Sequence, residues 1–168
     1  FIRKYSMSIG KYKNTKPKLI LEEYFSGKIE AWGQFEDPFG IVRKKFTCSI
    51  ISKWDKNIST LTINESFIYD DGAKENRIWK LIKVSNNYYE GTTDNVIGIA
   101  KGITCGNTFH WKYKFQLSLY GRKTKVSFDD YMYLQDSNVI INKAKMKKFG
   151  ITLFIMNYVY HLMNIQFY

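Results

Sequence analysis

Three carboxylates crowd into one stretch of this chain, Phe128-Asp-Asp-Tyr-Met-Tyr-Leu-Gln-Asp136. Two acids in different surroundings can divide proton donation and proton abstraction between them. Acids set among aromatics are candidates for perturbed pKa values. Asp129, Asp130 and Asp136 are therefore the first residues to weigh for chemistry. The other reactive side chains are sparse. Cys48 and Cys105 stand far apart, without a C-x-x-C, and His110 and His161 are also far from one another. That spacing matches no zinc site and gives a disulfide no support. No Gly-x-Ser-x-Gly elbow is present, and neither His has a nucleophile partner in sequence. No catalytic residue, metal or cofactor is assigned on these grounds.

Strands must position these acids, and strand parity separates them. Thr108–Leu119 alternates strictly: Phe109, Trp111, Tyr113, Phe115, Leu117 and Leu119 share one face, while His110, Lys112, Lys114, Gln116 and Ser118 share the other. Such a pattern predicts one buried and one wet face. The run of aromatics is bulky enough either to fill a small barrel or to line an apolar cavity. In the following strand Val126, Phe128, Asp130, Met132 and Leu134 lie on one face. Asp130 is thus expected on the apolar side, Asp129 with Tyr131 and Tyr133 on the other, and Asp136 in a turn. A buried carboxylate needs a partner or a raised pKa. Arg77, beside Trp79, is the expected partner. A structural ion pair, a set of backbone hydrogen bonds and a functional acid all remain open for Asp130.

Turn signals recur at the spacing of an all-β barrel or sandwich. The strands read as Lys28–Glu36, Ile41–Lys53, Ile58–Tyr69, Glu75–Val84, Tyr88–Thr92, Val96–Thr104, Thr108–Leu119, Lys123–Leu134 and Val139–Met146. A further strand is expected from Ile151. No amphipathic helix of useful length and no internal repeat interrupts them. Aromatics make up 17% of the chain, which favours strands, and 168 residues suit one domain. Residues 1–18 read as a flexible N-terminal arm, 19–160 as a single β-barrel and 161–168 as an apolar tail. Leu19–Phe25 is expected to plug or cover the core. The segment from Ile151, interrupted by Asn157, His161 and Asn164, is marginal as a membrane span. It is read as a closing strand followed by a frayed or membrane-surface segment.

The net charge of +11 could serve nucleic acid, anionic lipid or acidic partners. Only four of the 26 basic residues are Arg (Arg3, Arg43, Arg77, Arg122), and the lysines are spread along the chain. Nucleic-acid binding would need exposed aromatics between the lysines, whereas parity puts those of the best strand inside. Lys143, Lys145, Lys147 and Lys148 would suit an anionic lipid surface instead.

One ordered set of motifs carries a family resemblance. It comprises Glu30-Ala-Trp-Gly33, Arg77-Ile-Trp79, Tyr89-Glu-Gly-Thr92, Asp94-Asn-Val-Ile-Gly98 with Ala100 and Gly102, and Gly106-Asn107 with Trp111 and Tyr113. Phe128–Asp136 and Ile141–Gly150 complete it. Across residues 16–150 the chain resembles a bacterial domain-of-unknown-function family of small envelope lipoproteins with a lipocalin-like, calycin-type fold. The resemblance implies an antiparallel up-and-down β-barrel. It also implies an exported, lipid-anchored protein on the periplasmic side of the Gram-negative cell envelope, associated with fatty-acid or membrane-lipid functions. No catalytic residues come with it. The lipoprotein leader and its Cys are not in this sequence, which begins at Phe1, so the leader is expected to lie outside it. The end of the chain is more apolar than the family pattern.

The function expected is therefore a non-catalytic barrel that binds or presents an apolar ligand such as a lipid or fatty acyl chain. The candidate lining residues are Trp79, Trp111, Tyr113, Phe115, Asp130, Met132 and Arg77. The expected partners are an apolar small molecule and an anionic membrane surface, with no nucleic acid. Two alternatives stand beside it. One is a structural or interaction lipoprotein with a filled barrel. The other is a lipid-modifying enzyme that uses Asp129, Asp130 and Asp136.

Overall fold

The structure is a computed structural model that describes residues 9–119 and 121–163. Parts of the expected arm (1–8) and tail (164–168) lie outside the described residues. Ten antiparallel strands form the fold: β1 Gly27–Glu36, β2 Val42–Asp55, β3 Thr60–Tyr69, β4 Lys74–Ser85, β5 Tyr88–Thr92, β6 Val96–Cys105, β7 Thr108–Leu119, β8 Arg122–Leu134, β9 Val139–Lys148 and β10 Ile151–Leu162. Each pairs with its neighbour in sequence, and β10 closes on β1. The expected lipocalin-like up-and-down barrel is the observed fold.

Closure explains the apolar tail. β10 bonds β9 on one side and β1 on the other, with Met156 opposite Phe35, Tyr158 opposite Gly33 and Tyr160 opposite Ala31. Met156 and Tyr160 are buried, and the strand reaches Leu162. The segment to Leu162 thus closes the barrel, running past the expected boundary at residue 160. Without it the sheet would expose two unpaired edges. Gly33 leaves room for it. A Cβ there would overlap the Phe46 ring and come within 2.6 Å of Tyr158, so only glycine lets both rings pack on the wall.

One end of the barrel is plugged. Leu19, Leu21, Tyr24 and Phe25 are buried, with Leu21–Tyr24 forming the single helical turn α1. The Leu19 N–H donates to the Gly106 carbonyl at 2.8 Å, and the Tyr24 hydroxyl donates to the Asn138 carbonyl at 2.9 Å. Glu22 pairs with Lys83 and accepts the Tyr89 hydroxyl. The opposite end carries the hairpin loops joining β1 to β2, β3 to β4 and β9 to β10, and it stays open.

Residues 9–18 also depart from a loose arm. Ile9 packs against Ile103, and Tyr12 meets Tyr133 edge-on at 5.7 Å. The Asn107 N–H donates to Thr15 Oγ1 at 3.0 Å. This segment covers the outer face of β6–β8. His110 is only 2% exposed although it lies on the side of β7 expected to be wet. Its ring stacks on Tyr131 at 3.7 Å, and Nε2 lies 2.6 Å from Asp129 Oδ1.

Candidate functional site

The barrel interior holds two adjoining spaces. At the open end a cavity of about 400 Å³ is walled by Phe115, Leu117, Phe128, Met146, Phe154 and Met156, with Arg43, Lys44 and Glu75 at its polar side. Below it a chamber of about 50 Å³ is closed by Leu21 and Phe25 of the plug. Phe67, Arg77, Tyr113 and Tyr158 line both spaces. Period-2 alternation does this positioning, because each strand turns every second side chain inward.

All seven candidate lining residues face this interior. Trp79, Trp111, Asp130 and Met132 line the chamber, Phe115 the mouth cavity, and Arg77 and Tyr113 both. The two halves are used differently. Around Trp79 and Trp111 the space is nearly filled, with the rings 4.7 Å apart and Tyr113 a further 4.9 Å from Trp111. The roomy part lies nearer the mouth, where Tyr113 stacks on Phe128 at 4.8 Å.

The three acids separate. Asp130 points inward and is bonded by the Asn142 side-chain amide, which also donates to the Tyr131 carbonyl at 2.7 Å. Asp129 is on the outer face, beside His110 with Lys112 and Lys147 near it. Asp136 caps a turn by accepting the N–H groups of Asn138 and Val139. No pair of them shares a reacting centre.

The expected Arg77–Asp130 pair is replaced. Arg77 Nη2 lies 2.6 Å from Glu75 Oε1, and Nη1 lies 3.9 Å from Glu65 Oε2. Cross-strand register causes this, since Glu65 stands directly opposite Arg77 on β3, whereas Asp130 sits on β8. The guanidinium also lies over the Phe67 and Phe115 rings at 5.1 and 5.3 Å. The Tyr69 hydroxyl donates to Glu75 Oε2 at 2.7 Å.

Burial controls the charge states. It pushes the Glu65 carboxyl up to about 7, only partly opposed by Arg77. It pushes Asp130 up to about 7 as well, against the Asn142 amide and the Trp111 indole, which favour the charged form. Glu75 is also desolvated, but Arg77 and Tyr69 hold it below its ordinary value. Burial raises the Tyr113, Tyr158 and Tyr160 phenols well above theirs.

Glu65, Glu75 and Asn142 were not singled out from the sequence, although the signal was there. Glu65 shares the inward parity of Leu61, Ile63 and Phe67, and Asn142 that of Ile140, Ala144 and Met146. An acid or amide within an apolar register is the pattern that marked Asp130.

Residues 2–160 match the family described as "Protein of unknown function (DUF3833)". The chain belongs to that family. No curated protein matches it significantly. Among solved structures, it is similar to the S-type phycobiliprotein lyase CPES from Guillardia theta, at 9% identity and a TM-score of 0.63, covering 88% of this chain and 95% of that one. It is also similar to Rv2717c from M. tuberculosis, at 13% identity and a TM-score of 0.65, covering 90% of this chain and all of the other. At such identities the likeness establishes the barrel fold. The family model extends beyond the residues 16–150 that carried the resemblance, into β10.

Proposed function

We propose that this protein is a non-catalytic barrel of the bacterial cell envelope that takes an apolar ligand, such as a lipid or acyl chain, into its mouth cavity. The observation that carries this reading is the 400 Å³ space walled by Phe115, Phe128, Met146, Phe154 and Met156 and open at one end only. Its size and lining are those of ordinary small-molecule pockets. Methionines suit it, since they adapt to irregular apolar shapes. The packed lower half favours the alternative of a structural barrel, but a purely structural core has no need of an apolar void at its mouth.

The rim supports an anionic lipid surface as the partner. Phe39 and Phe149 are 89% and 93% exposed. They sit on the β1–β2 and β9–β10 hairpins, which are neighbours because β10 pairs with β1. Ile41 and Ile151 are exposed beside them, and Arg43, Lys44, Lys147 and Lys148 flank the same loops. Apolar tips within a basic ring match the boundary between acyl chains and anionic headgroups.

Extraction tests the ligand. Purified full-length protein should release a stoichiometric apolar molecule detectable by mass spectrometry. Delipidated protein should take up a neutral apolar dye, and Phe128→Glu or Met146→Glu should abolish uptake. An empty extract together with no uptake would refute the reading.

A further inference from the structure

The inner chamber holds polar groups that the fold leaves unsatisfied. The Arg77 Nε–H is a buried donor without a hydrogen-bond partner and Glu65 Oε2 a buried acceptor without one, while the Trp111 indole N–H lies toward Asp130 but closes no hydrogen bond to it. The Trp111 indole nitrogen is itself buried from solvent. Leaving such groups open is costly, and buried polar atoms are ordinarily paired. All three side chains line the chamber of about 50 Å³. A water occupies about 30 Å³ of the liquid, so the space admits one group of hydroxyl size. Because Phe67, Arg77, Tyr113 and Tyr158 line both spaces, the inner end of a chain held in the mouth cavity lies next to this chamber.

We propose that the chamber is a head-group subsite that selects the neutral hydroxyl end of a long apolar chain and excludes an ionised carboxylate. This rests on reading the mouth cavity as the chain site. Hydrogen-bond chemistry makes the selection. A hydroxyl both donates and accepts, so it can serve Glu65 Oε2 and one of the two open N–H groups together. A carboxylate only accepts, so Glu65 Oε2 stays open. It also adds negative charge to a chamber already holding Glu65 and Asp130, where the one cation, Arg77, is engaged by Glu65 and Glu75. A primary ammonium only donates, which leaves both N–H groups unsatisfied. Glu65 and Asp130 face Glu75, Arg77, Tyr113, Tyr158 and Tyr160 and no further basic side chain among the described chamber-lining residues.

Delipidated protein can be titrated with dodecanol, dodecanoate and dodecylamine at pH 8, reading quenching of Trp79 and Trp111. Dodecanol should bind at least about tenfold more tightly than dodecanoate, the factor that corresponds to about 1.4 kcal/mol. Glu65→Gln should narrow that gap to less than about threefold, mainly by strengthening dodecanoate. Equal binding of all three would remove the subsite but keep the chain site. Tightest binding of dodecanoate or dodecylamine would overturn the selection outright. Failure of all three to bind would remove the chain site itself. The wild-type ranking stands alone if Glu65→Gln does not fold.

Discussion

Phe149 offers a substitution for which folding and lipid binding should move in opposite directions. Lys148 pairs with Ile151, leaving Phe149 and Gly150 as a two-residue turn. Both have positive φ, 50° and 78°. This is the geometry of the hairpin turns that favour Asn-Gly. A bulky side chain in that region costs about 1–2 kcal/mol. The ring contributes little in return, because it is 93% exposed and its recorded contact is Lys148 Nζ at 5.6 Å. An exposed cation–π contact is worth about 0.5–1 kcal/mol. Phe149→Asn should therefore stabilise the fold by about 0.5–1 kcal/mol. For a chain of this size, that raises Tm by roughly 1–4 °C. If the rim enters a lipid surface, burial of the ring is worth about 1.5–3 kcal/mol. Its loss should weaken binding to anionic vesicles about 10- to 100-fold. Thermal denaturation and vesicle co-sedimentation read the two effects separately. Unchanged vesicle binding in a variant with a raised Tm would refute the rim as the lipid contact.

Other perturbations probe the interior. The folded carboxyls of Glu65 and Asp130 titrate at about 7, above their ordinary values, so between about pH 4 and 7 the folded state holds protons that the unfolded state has lost. Stability should accordingly fall as pH rises through this window, by at most about 1.4 kcal/mol per pH unit per group, and flatten above it. Urea midpoints at pH 5 and pH 8 measure this, and Glu65→Gln should roughly halve the difference. Glu75 is shifted the opposite way, so its contribution is present above its unfolded pKa and disappears only on further acidification. Arg77→Met leaves Glu65 without its counter-ion and should cost about 3–5 kcal/mol in urea denaturation, a loss that Arg77→Met/Glu65→Met should largely restore. Gly33→Ala forces a methyl into the Phe46 and Tyr158 rings and should destabilise by about 1–3 kcal/mol, read as a lowered Tm.

Strand existence was legible because turn residues punctuate alternating segments. Tyr88–Thr92 and Thr108–Leu119 match the structure at both ends, and most other strands differ by one or two residues. The inward set Phe109, Trp111, Tyr113 and Phe115 followed from parity alone, as did the separation of Asp129 from Asp130. Partners across the barrel did not follow. Glu65 lies opposite Arg77 through hairpin register, and parity says which way a side chain points but not which strand faces it. His110 was misjudged for a related reason. Alternation places it outside, yet it is buried there, stacked on Tyr131 and bonded to Asp129.

The sequence by itself determined an all-β fold, barrel or sandwich, with aromatic inward faces and a short plug, since local alternation and turn chemistry act within a few residues. Only the tertiary structure decided what the interior is: packed around Trp79 and Trp111, open around Phe115 and Phe128, with Arg77 balanced by Glu65 and Glu75 while Asp130 is held by Asn142. Volume and charge pairing depend on side chains brought together from strands distant in sequence, and no periodicity records those distances. Barrel closure by β10 belongs to the same class, because an edge is satisfied only by whichever strand returns to it.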